Sequence, residues 1–90
     1  MIKQGIVISL SDSNCHYLVA ERLDDMGQGQ GGWLCIEMDA LREKGIDNIS
    51  AFDCWRVSDK YIEMQMKRGV ITIPTLINIT KNNENTDKSN

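Results

Sequence analysis

The side chains best suited to chemistry are three neighbours, Cys15, His16 and Tyr17, which follow the turn cluster Ser11-Asp12-Ser13-Asn14. All four members of that cluster are favourable helix N-caps, and the stretch from Cys15 to Met26 contains neither glycine nor proline. Leu18, Val19, Leu23 and Met26 recur at helical spacing, with Glu21, Arg22 and Asp25 on the other face, so the pattern predicts a helix over 15–26. Cys15 then falls in the first turn, where unpaired amides favour a thiolate and lower its pKa below the free value of about 8.5. That makes Cys15 the candidate nucleophile, with His16, the single histidine, as candidate thiolate stabiliser.

A second chemical feature lies near the other end, in Gly69-Val70-Ile71-Thr72-Ile73-Pro74-Thr75-Leu76-Ile77, which holds the only proline. Proline lacks a ladder donor and belongs at the first residue of a strand or at an edge, which predicts a strand from Thr75 to Thr80. The ring also pushes Ile73 toward extended geometry. An X-Pro bond is where a cis peptide costs least, about 0.5–1 kcal/mol, and a cis bond here would offer backbone edges as a shelf for an extended substrate.

The elements that must position these groups read as an alternation. Ile2 to Leu10, with the β-branched run Ile6-Val7-Ile8, reads as a strand. Gly27-Gln28-Gly29-Gln30-Gly31-Gly32 looks like a phosphate cradle, but no Lys-Ser/Thr follows it and it leads into a strand, so it reads as a connector. Trp33 to Met38 alternates as a second strand and makes Cys35 a packed, inert thiol. Asp39 is placed to cap a short helix, Ala40 to Lys44, closed by Gly45. Residues 46–57 are either a third short strand or an ordered loop. Ser58 caps a helix from Asp59 to Arg68, whose charge order suits the macrodipole. The first two strands are expected parallel, joined by the 15–26 helix in an α/β domain.

Composition narrows the class. Ninety residues make one domain, placed at 1–80, followed by a polar tail, 81–90, without an apolar residue. A net charge of -3 and a pI near 5.0 argue against nucleic acid or anionic membrane as partner. No apolar run approaches the roughly 20 residues of a span, and a cytoplasmic location is expected. Three cysteines, with no C-x-x-C pair and no zinc spacing, read as thiols, with no metal site.

The segment Ile6-Val7-Ile8-Ser9-Leu10-Ser11-Asp12-Ser13-Asn14-Cys15-His16-Tyr17-Leu18 resembles the strand, loop and Cys-Pro-Tyr-Cys helix start of the glutaredoxins, and Thr72-Ile73-Pro74 resembles their Thr-Val-Pro. Gly69 to Leu76 is also similar to the cis-proline region of thioredoxins. The resemblance implies a thioredoxin-like fold, a small mixed central sheet flanked by helices and shortened at the C-terminus. It implies Cys15 as the attacking thiol, Tyr17 flanking glutathione, and Thr72, Ile73 and Pro74 pairing with the substrate backbone. Leu18 stands where the resolving cysteine would be, so only a single-thiol mechanism fits. His16 replaces the motif proline, and Asp12 replaces a lysine that attracts glutathione carboxylate. The Gly-Gly-x-Asp segment and the final helix are missing.

The resemblance therefore implies a thiol-disulfide oxidoreductase using glutathione as co-substrate, with no tightly bound cofactor and with glutathione or a protein thiol or disulfide as partner. A dimer holding an iron-sulfur cluster through Cys15 and glutathione is a weaker variant of the same family reading. The alternative is a catalytically inactive thioredoxin-fold module that binds a protein partner through the proline shelf or its exposed aromatics.

Overall fold

The computed structural model describes residues 2–74. The strand expected at Thr75–Thr80 and the polar tail lie outside them. Five strands form one sheet: β1 (Val7–Leu10), β2 (Cys15–Leu23), β3 (Gly32–Glu37), β4 (Cys54–Ser58) and β5 (Ile71–Thr72). Two α-helices, α1 (Met38–Lys44) and α2 (Asp59–Lys67), join β3 to β4 and β4 to β5. The sheet order is β4-β3-β2-β1-β5, and every neighbouring pair is antiparallel.

The α/β class holds, but residues 15–23 are a strand, not the first helix. Ser11 to Asn14 form the loop of a β1–β2 hairpin, with Asn14 in the left-handed region at φ 57 and its amide donating to Leu10 O at 2.9 Å. Hairpin loops and N-caps draw on the same residue types. The decisive pattern is alternation: Cys15, Tyr17 and Val19 face the core side, and Val19 is fully buried. The strands expected at 2–10 and 33–38 do run in the same direction. A strand lies between them, where a crossover helix was expected.

The core lies between the sheet and α2. Ile8, Val19, Cys35, Val57 and Ile71 meet Ile62 of α2, with Ile2, Ile6, Leu10 and Ile73 packed around them. Fully burying side chains of this size stabilises by about 1.5–3 kcal/mol each. The shorter helix α1 packs against β2 and β3 on the opposite face, where Ile36 and Ala40 are buried. Its N-cap is Glu37, so Asp39 lies in its first turn, and Gly45 closes it at φ 77 with its amide donating to Leu41 O. The expected helix over 59–68 is α2: Ser58 accepts a hydrogen bond from the Tyr61 amide, and Gly69 follows the last turn at φ 76. Residues 46–53 form two short 3-10 turns, the second held by a reciprocal capping box between Ser50 and Asp53.

Candidate functional site

The sequence-expected site residues divide between the two faces of the sheet. Cys15 lies opposite Leu10, which in turn pairs with Ile71, and this row faces α2. His16 lies opposite Ser9, which also pairs with Thr72, and this row faces the other way. His16 and Cys15 are therefore on opposite sides of the strand, and His16 lines a pocket of about 250 Å³ with Val7, Asn14, Met38, Asp39 and Arg42. Tyr17 and Ile73 share the Cys15 face, Thr72 is with His16, and Pro74 is exposed. No peptide bond among the described residues is cis, the Ile73–Pro74 bond included. Cys15 opens a strand and donates its thiol proton to Ser13 O at 3.6 Å. It has no helix start of its own to activate it.

The same face carries an aromatic surface. Trp55, on β4, lies between Tyr17 and Tyr61: its ring centroid is 5.2 Å from Tyr17 at 52° and 6.0 Å from Tyr61 at 86°. The strand register explains the first contact, since Val19, Cys35 and Trp55 form one row and Tyr17 sits one side-chain step along β2. The second arises because α2 starts directly after β4 and folds back over it. Burial raises the Tyr17 hydroxyl pKa, and the neighbouring Cys15, Glu37 and Cys35 raise it further.

None of the five aromatic residues of the chain is buried: Tyr17, Trp33 and Trp55 are half-buried, while Tyr61 is 43% and Phe52 99% exposed. Met64, one turn after Tyr61, is 48% exposed. Aromatics bury the most area per residue and ordinarily dominate cores, yet here the buried cluster holds only aliphatic side chains and Cys35, with Tyr17, Trp33 and Trp55 packed half-buried at its margin and Tyr61 and Phe52 exposed. Aromatic and methionine side chains are also the types enriched where proteins meet partners.

On the far flank of α2 lies a groove of about 310 Å³, lined by Ile2, Trp33, Ile62 and Met66 and rimmed by Arg22, Asp59 and Glu63. A bulge between Val19 and Glu21 shifts the register so that Arg22 lies opposite Trp33 and faces α2. Its guanidinium sits 5.0 Å from the Trp33 ring centroid and donates two hydrogen bonds to Asp59, at 2.7 and 2.8 Å. The Arg22 hydrogen bonds hold the Asp59 carboxyl below its usual range. This fork clamps the start of α2 to β2, and so fixes where Tyr61 stands.

The remaining thiols are structural. Cys35 is fully buried, and burial, with Cys54 nearby, pushes its thiol up to about 11. Cys54 donates to Ser50 O at 3.4 Å. Among the described residues no cluster of His, Cys, Asp or Glu has metal-site geometry, and no helix is long and apolar enough to cross a membrane. No protein-family model, curated protein or solved structure matches this chain. Exposed aromatics were an expected partner surface in the alternative reading, and Tyr17 an expected site residue, but the grouping of Tyr17 with Trp55 and Tyr61 was not foreseen. Its one sequence signal is the closeness of Trp55 to Tyr61, six residues apart across the Ser58 helix start.

Proposed function

We propose that this chain is an interaction module that holds a protein partner on the Tyr17–Trp55–Tyr61 surface. The observation that carries the reading is the placement of Trp55 between two tyrosines, one of them 43% exposed, at the margin of a core whose buried residues include no aromatic. Rings of this kind supply large contact area at low entropic cost and act as anchors in interfaces. A photo-crosslinking phenylalanine derivative at position 61, which keeps an aromatic ring there, with a control at the exposed Asp24, tests it. The module reading expects a protein adduct from position 61 that Met64→Glu abolishes and Cys15→Ser leaves intact. No adduct above the control refutes it.

Thiol exchange at Cys15 on a thioredoxin-like scaffold is the second reading, favoured by one observation. β1 pairs on one edge with β2, which opens at Cys15, and on the other with Ile71–Thr72, so the two resemblance segments are neighbours in one sheet. In that reaction the Cys15 thiolate attacks the disulfide of a glutathione mixed disulfide and releases the protein thiolate. A second glutathione thiolate then attacks the Cys15–glutathione bond, leaving oxidised glutathione and free Cys15. Turnover of a mixed disulfide by the wild type and not by Cys15→Ser would establish it. Equal, background rates would remove it.

A further inference from the structure

We infer that the partner docks by adding one extended segment, antiparallel, to the outer edge of β4, with an acidic residue opposite Arg56 and apolar residues on either side of it. The inference rests on the module reading above and specifies its mode. Among the described residues β4 pairs with β3 alone. The Asp59 amide donates to Gly31 O at 3.0 Å, and this sets the alternation of the β3–β4 ladder. Val57 and Trp55 then exchange hydrogen bonds with Trp33 and Cys35, whereas the N–H and C=O of Arg56 point away from β3, toward the open edge. The Cys54 amide is already used, donating to Ala51 O. Arg56 is thus the centre of the receptive edge.

The side chains around it define the occupant. Arg56 is exposed on the sheet face opposite α2, so the residue paired directly with it lies on that same face, where a carboxylate is favourable and a cation is not. The neighbours of that residue point to the other face, one opposite Trp55, whose ring meets Tyr61, and one opposite the buried Val57. A segment of the pattern apolar-acidic-apolar therefore satisfies the backbone, Arg56 and the aromatic surface together, as in strand addition to other sheet edges. A second copy of this chain is a poor occupant. Two-fold pairing about Arg56 would set two guanidinium groups opposite one another, the device by which charged edge residues discourage self-association.

The test uses the full chain and two nine-residue probe peptides of threonine and lysine with Ile-Glu-Ile or Ile-Lys-Ile at the centre. Amide hydrogen exchange and chemical shifts are followed by NMR. The Ile-Glu-Ile peptide is expected to bind about tenfold more tightly than the Ile-Lys-Ile peptide and to slow exchange of the Arg56 amide, and Arg56→Glu is expected to reverse the preference. Arg56 is exposed, so that variant folds, which circular dichroism checks. Failure of both peptides to bind, binding without protection of the Arg56 amide, an order unchanged by Arg56→Glu, or self-pairing of the wild type through this edge in sedimentation would each overturn the inference. If the position 61 adduct is present while any of these is found, edge docking fails and the module reading stands. If that adduct is absent, both fail.

Discussion

Trp55 meets Tyr61 edge to face, with ring centroids 6.0 Å apart and planes at 86°, although the first belongs to the sheet and the second to the helix that follows it. The contact leaves Tyr61 43% exposed, so it adds little burial and presents a ring to solvent. An aromatic pair of this geometry contributes about 0.5–1.5 kcal/mol beyond area. Tyr61→Ala is expected to lower unfolding stability by about 1 kcal/mol in urea titrations, and Met64→Glu by less than about 0.5 kcal/mol. Both should abolish partner binding. A large stability loss for Met64→Glu would mean that this surface is core.

The Arg22–Asp59 fork has a pH signature. Asp59 has an ordinary value of 3.8 and is held below it in the folded state, chiefly by the Arg22 hydrogen bonds. A depressed folded value gives stability that is present above the unfolded pKa and lost as pH falls through the folded one. Asp59→Asn should therefore be less stable than wild type at neutral pH, with the gap narrowing as pH drops below 3.8. Urea midpoints measured across that range check this, and a gap independent of pH would contradict it.

Cys35 titrates in the opposite sense. Its folded value, about 11, stands above the ordinary 9.0, so the stability it confers is full below the unfolded pKa and fades as pH rises from one value to the other. The loss amounts to about 2–3 kcal/mol over that window. At pH 8 a thiol-alkylating reagent should modify Cys15 and Cys54, which are half-buried, long before Cys35. Cys35→Ser, which buries a hydroxyl in apolar surroundings, should cost about 1–3 kcal/mol.

Gly32 lies opposite Ser58 at the rung from which α2 departs. A Cβ there would run into Met26 Sδ and Val57 O and lie 2.9 Å from Ser58 Cα. Backbone atoms cannot give way, so Gly32→Ala is expected to destabilise by more than about 2 kcal/mol. Gly27→Ala meets no atom but sits at φ 108, and should cost about 1 kcal/mol from backbone strain alone. Thermal unfolding of the two variants ranks them.

Helix α2 was legible residue by residue, because Ser58, Asp59, Lys67 and Gly69 each carry a local signal that no tertiary contact opposes. Segment 15–23 was not. Leu18, Val19, Leu23 and Met26 fit a 3.6-residue period by coincidence, while the true period of two in Cys15, Tyr17 and Val19 is interrupted by the bulge after Val19. The assembly of the aromatic surface, though not the candidacy of Tyr17 or of exposed aromatics, was hidden for a different reason. Tyr17, Trp55 and Tyr61 are brought together by a three-strand register and a helix return, neither of which local pattern encodes.

The central claim is that this aromatic surface, and not the Cys15 thiol, carries function. It is tested most directly by photo-crosslinking from position 61 in wild-type, Met64→Glu and Cys15→Ser backgrounds. A protein adduct lost in Met64→Glu and retained in Cys15→Ser is the predicted result. An adduct that vanishes in Cys15→Ser, or none above the Asp24 control in any background, would contradict it.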